Sequence, residues 1–181
     1  MNRQFQARRR AVGTVALLAL VLILLAAPME SAAMLSTPKV GQLAPNFAVP
    51  NLMGETVRLT NLVGQPVLIV FWSPFCSHCQ VSLPEINSVY GDWVKNYNLE
   101  VLAVDVSTSK ADVIVFATSK KLTFPVLFGN DVVSARYGIE NIPAYFFVDA
   151  TGVIRFMHVG GLTPAELQQR IVAALAATAK K

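Results

Sequence analysis

Apolar and polar positions along this chain fall into blocks of two kinds. The run Val67-Leu68-Ile69-Val70-Phe71-Trp72 is unbroken and β-branched or aromatic, the pattern of a strand covered on both faces. Glu100 to Val106 reads the same way. From Ser77 to about Tyr97 the apolar residues instead recur at helical spacing, at Val81, Ile86, Val89, Trp93 and Val94, with Pro84 as an internal kink rather than a stop. Lys110 to Lys120 places Val113, Ile114 and Ala117 on one face of a second helix. Strand, helix and strand in this order predict a parallel pair joined by a right-handed crossover.

Shorter signals fill in the rest. Phe47 to Val49 and Thr56 to Leu59 flank the turn residues Asn51 and Gly54 and predict a β-hairpin. Phe124 to Phe128 is a brief extended segment containing Pro125, and Asp131 to Tyr137 makes one or two helical turns stopped by Gly138. Pro143 cannot donate to a ladder, so it belongs at the opening of the apolar strand that runs to Asp149. Ala150-Thr151-Gly152 turns the chain, and Val153 to Val159 returns antiparallel. Thr163-Pro164-Ala165-Glu166 combines a capping hydroxyl, a proline at the first helical position and an acid three residues past the cap, which starts a closing helix to about Ala177.

Composition changes this picture at the N-terminus. The chain has 181 residues, 54% hydrophobic and 14% charged, which is ample for one core and too apolar for disorder. Part of that apolarity is not core: Ala11 to Ala27 carries no charge and is just long enough to span a bilayer as a helix. Arg3, Arg8, Arg9 and Arg10 precede it, and basic flanks stay on the cytoplasmic side. The expected organisation is a cytoplasmic basic N-terminus at 1–10, a transmembrane signal-anchor at 11–27, a linker at 28–40 and a folded domain at 41–181. A cleaved signal peptide ending near Ser31-Ala32-Ala33 is the competing reading, and either one exports the domain. The formal net charge of +4 resides in those four arginines, so the domain itself is neutral and offers no basic surface for nucleic acid.

The chain's only cysteines lie in Cys76-Ser77-His78-Cys79, between the first long strand and its helix. If they form a disulfide, they form it with each other. A loop so short removes little chain entropy, which favours a redox role over a structural staple. At the mouth of a helix Cys76 would be the attacking thiolate, helped by unpaired N–H groups, and Cys79, one turn along, would resolve the mixed disulfide. His78 either tunes the pair, its positive charge favouring the thiolate, or is an ordinary solvated polar residue. Cys76, His78 and Cys79 supply at most three metal ligands and His158 lies in a distant strand, so no metal is assigned, and no cofactor.

Trp72-Ser73-Pro74-Phe75-Cys76-Ser77-His78-Cys79, then Leu83-Pro84-Glu85, then Asn141-Ile142-Pro143-Ala144-Tyr145-Phe146-Phe147-Val148-Asp149 resemble the thioredoxin superfamily. Its nearest branch is the TlpA/ResA-like group of membrane-anchored thiol-disulfide oxidoreductases, which Gly41-Gln42-Leu43-Ala44-Pro45-Asn46-Phe47 also resembles. The resemblance implies a thioredoxin-like α/β fold, a central mixed β-sheet flanked by helices, here with an N-terminal β-hairpin and a transmembrane helix. It also implies a cis peptide bond at Ile142-Pro143 facing the cysteines, where the Ile142 backbone would pair with an extended client segment. Trp72, Pro74 and Phe75 would add apolar surface beside the thiol, although Trp72 also reads as plain core. Two positions depart from the pattern: Ser82 and Val70 stand where relatives carry a buried acid, and Glu85 is the possible substitute.

The function expected from this resemblance is exchange of a dithiol with client protein disulfides, as a reductase recharged by a transmembrane electron donor and serving cytochrome c maturation or another exported protein. A disulfide-donating oxidant resembling DsbA is the alternative within this chemistry. Two further alternatives share the scaffold: a peroxiredoxin, whose motif needs a threonine as well as a proline ahead of the cysteine, and a redox-inert metal-delivery or binding module.

Overall fold

The computed structural model describes residues 37–107 and 109–178. The expected cytoplasmic N-terminus, the signal-anchor and the linker up to residue 36 lie outside the described residues. Among the described residues no helix is long and apolar enough to cross a membrane.

The strands are β1 (Ala48–Pro50), β2 (Thr56–Arg58), β3 (Val67–Trp72), β4 (Glu100–Asp105), β5 (Val126–Phe128), β6 (Ala144–Val148) and β7 (Ile154–Val159). The helices are α1 (Ser77–Tyr97), α2 (Lys110–Ser119), α3 (Asp131–Tyr137) and α4 (Pro164–Thr178), and Leu59–Leu62 forms a 3-10 turn after the hairpin. β1 and β2 pair antiparallel, while the other five strands form one mixed sheet in the order β5-β4-β3-β6-β7. β3 pairs parallel with β4, as the strand-helix-strand pattern requires, and antiparallel with β6.

β3 is central and every one of its six residues is buried, which explains why its sequence does not alternate. Its side chains still divide between faces. Leu68, Val70 and Trp72 pack under α1, α2 and α4, whereas Val67, Ile69 and Phe71 pack against the hairpin and α3. Trp93 ties α1 to α4 through its indole N–H, which donates to Gln168 Oε1 at 3.3 Å. α4 opens on the expected capping box: Thr163 donates from both N–H and Oγ to Glu166, whose N–H donates back to Thr163 Oγ.

The helical faces differ from the sequence expectation in detail. α1 buries Cys79, Ser82, Leu83, Ile86 and Trp93, while Val81 and Val94 are exposed. α2 buries Val113, Phe116 and Ala117 and leaves Ile114 outside. In both helices the buried stripe follows steps of three and four residues from a fixed contact, and these three β-branched residues sit off it.

Strand order sets the location of the chemistry. Because β6 runs antiparallel to β3, its first residue lies beside the last residues of β3, with Phe71 opposite Ala144. The loop leaving β3 and the loop entering β6 therefore share one edge of the sheet.

Candidate active site

Cys76 ends the loop from β3 and serves as the N-cap of α1. Its own N–H donates to Ser73 O at 3.2 Å, and the Ser73 hydroxyl accepts from Phe75 N–H at 3.2 Å. Gln80 closes the loop from the helix side, its amide donating to Pro74 O at 2.6 Å. With the backbone so held, the Cys76 sulfur fills the capping role of an oxygen: Cys79 N–H donates to it at 3.2 Å. A negative charge on that sulfur would meet unpaired N–H groups at the positive end of the helix.

The second thiol sits in a different environment. Both cysteines are free, but Cys76 is half-buried and Cys79 is fully buried. Burial pushes the Cys79 thiol up to about 12, with further contributions from its hydrogen bond and charge interaction with Cys76. One sulfur is thus reachable and the other is protonated and shielded.

Across the sheet edge the Ile142–Pro143 peptide bond is cis. The Ile142 carbonyl accepts from the Cys76 thiol at 3.7 Å, a contact between residues 66 positions apart. Gly160 N–H donates to Pro143 O at 2.8 Å and anchors this loop from β7. His78 is exposed on the first turn of α1 and borders the same region, since a side chain at Gly161 would come within 3.9 Å of its Nδ1.

The structure brings Cys76, Cys79, Ile142 and Pro143 together. Phe75 is 68% exposed beside them and can serve as apolar surface. Trp72 and Pro74 cannot. Trp72 is fully buried and packs on Phe116, ring centroids 5.1 Å apart, and Pro74 is buried by the fold of the loop. They are framework beneath the thiol, because β3 carries its buried course to its last residue. Glu85 is exposed on α1 and does not replace a buried acid. Among the described residues, no three His, Cys, Asp or Glu side chains are grouped to hold a metal ion.

Sequence reasoning overlooked Tyr145. It sits opposite Val70 in β3, on the face occupied by Cys79 and Leu83. The signal was available: in an alternating strand Tyr145 shares a face with Phe147 and lies opposite the face of Ala144 and Phe146.

A family model described as the AhpC/TSA family matches residues 40–157. The chain belongs to the AhpC/TSA family. Within this family it is similar to the thiol-disulfide oxidoreductase ResA of Geobacillus thermodenitrificans, 33% identical over 133 residues, covering 73% of this chain and 76% of the relative. It is also similar to the thioredoxin-like protein YneN of Bacillus subtilis, 32% identical over 134 residues, covering 72% and 78% of the two chains. A solved structure assigned as the thiol:disulfide interchange protein DsbE of Chlorobium tepidum superposes with a TM-score of 0.70 at 30% identity, covering 77% of this chain and 99% of that one. This AhpC/TSA member has the thioredoxin-like fold and is a thiol-disulfide oxidoreductase of the ResA and DsbE type.

Proposed function

We propose that the protein is an exported protein-disulfide reductase, held at the outer face of a membrane by its N-terminal apolar segment. The observation that carries the reading is the unequal thiol pair: Cys76 reachable at the helix mouth beside the cis-proline loop, Cys79 buried behind it. Cys76 attacks a client disulfide, forming a mixed disulfide and releasing the first client sulfur as a thiolate that takes up a proton. Cys79 then attacks Cys76 Sγ, the Cys76-to-client bond breaks, and the second client sulfur leaves. The client gains two electrons and two protons, and the enzyme keeps a Cys76–Cys79 disulfide.

The half-buried Ile142 backbone offers an extended client segment a place to pair without side-chain selection. Resetting the disulfide outside the cytoplasm requires a donor that carries electrons across the membrane, and the apolar segment at 11–27 would hold the domain near it. Cytochrome c maturation, which the family resemblance implies, is one destination for the reducing power. His78, exposed beside the pair, would favour the opposite direction of flow when protonated, because a positive charge there stabilises the dithiol form.

Equilibrating the Cys76–Cys79 couple with glutathione distinguishes the two directions. A reductase is expected near the thioredoxin value of about −270 mV; a potential near the about −120 mV of DsbA would make the protein a disulfide donor instead.

A further inference from the structure

The face of the sheet that covers Cys79 holds two hydroxyls with no hydrogen bond, Ser82 Oγ and Tyr145 Oη. Both residues are buried, Ser82 at 3% and Tyr145 at 0% exposure. A buried hydroxyl without a partner costs free energy, so two at one place ask for an explanation. Ser82 follows Cys79 by one turn on the inward face of α1. Tyr145 arrives from β6, opposite Val70 and packed in the cluster that contains Cys79, Leu83 and Leu162. The Tyr145 hydroxyl lies near both the Ser82 hydroxyl and the Leu162 backbone without the alignment of a hydrogen bond to either, and the phenol lies within electrostatic reach of both thiols.

We propose that Ser82 and Tyr145 are positioning residues for the resolving step, their hydroxyls donating hydrogen bonds to the Cys79 thiolate as it forms. The inference rests on the exchange reaction proposed above. During resolution Cys79 gives its proton to solvent, its sulfur bonds to Cys76 Sγ, and the client thiolate released from Cys76 is protonated in turn. A thiolate formed at a buried site needs donors beyond the backbone groups at Ser73 and Cys79 that already favour it, and Cys76, whose contact with Cys79 favours the protonated thiol, supplies none. Neutral donors meet this need. Burial pushes the Tyr145 phenol above its ordinary range, so it stays protonated, and serine does not titrate. Val70 brings no charge from β3, and the titratable group opposite Tyr145 on β7 is His158, its ring centroid 6.3 Å away.

The full-length reduced protein mixed with dithiobis(nitrobenzoate) releases one coloured thiolate when Cys76 attacks and a second when Cys79 resolves. Stopped-flow absorbance separates the phases. Ser82→Ala and Tyr145→Phe are expected to leave the first phase nearly unchanged, slow the second by about tenfold each, and move its pH midpoint upward. Ser82→Thr, which keeps the hydroxyl, is expected to restore the second phase. An unaltered second phase in both variants, equal slowing of both phases, or a threonine variant as slow as alanine would overturn the inference while the exchange reading stands. A wild-type protein with no first phase would remove the exchange reading and this inference with it.

Discussion

At the scale of single residues, most of the site's chemistry depends on which side chains are covered. The place of the cysteine pair at a strand-to-helix junction was legible from spacing alone, whereas the burial of Cys79 behind Cys76 came only with the fold. The burial of Trp72 was legible too, since it ends a run read as covered on both faces, but that of Pro74 was not, because a proline beside a reactive thiol reads equally well as surface or as support. Asp149 shows how much one carboxylate can organise. It accepts from Thr151 N–H and Oγ, from Val153 N–H, and from Arg155 Nε at 2.5 Å, and so closes the turn between β6 and β7. Burial alone would raise its carboxyl, but these hydrogen bonds outweigh burial and hold it below the usual range. A group depressed in the folded state stabilises fully above its unfolded value of about 3.9 and loses that contribution as pH falls through the folded value. Asp149→Asn is therefore expected to cost about 2 kcal/mol in urea denaturation at neutral pH, with the gap to wild type closing in acid. A gap that is constant with pH would count against the charge as the cause.

At the scale of elements, strands and helices were legible as blocks because their apolar runs are long and their stops are chemically clear. Gly138 ends α3 at φ 62°, and Thr163 with Glu166 starts α4, both as the residue types announce. The buried faces of α1 and α2 were less legible. Hydrophobicity marks Val81, Val94 and Ile114, but the face that each helix turns to the sheet decides, and it carries Ser82 and Phe116 instead. β5 is shorter than its apolar pattern predicts for a related reason: its pairing with β4 starts only at Val126, opposite Ala103. Its exit is tight. At Gly129 a Cβ atom would stand 2.2 Å from Asp105 O and 2.9 Å from Val104 Cγ1. The Asp105 carbonyl cannot withdraw without disturbing the β4–β5 ladder, so Gly129→Ala is expected to destabilise by about 2 kcal/mol, read as a lower urea midpoint. An unchanged midpoint would mean that the β5 edge yields freely.

At the scale of the whole molecule, the topology makes the site. An antiparallel β6 beside a central β3 brings the proline loop against the first thiol, with Ile142 lying 66 positions beyond Cys76 along the chain. The amino-acid sequence could offer this only through resemblance, since no local pattern encodes the pairing of distant strands. The same arrangement makes the thiols unequal, one open to clients and the other sealed by α1 and the sheet. That inequality is the account's central claim, and covalent trapping tests it most directly. Reduced Cys79→Ser protein mixed with insulin should form a single mixed disulfide through Cys76, stable until dithiothreitol is added and visible by mass spectrometry, while Cys76→Ser forms none. Adducts carried by Cys79, or none in either variant, would contradict the account.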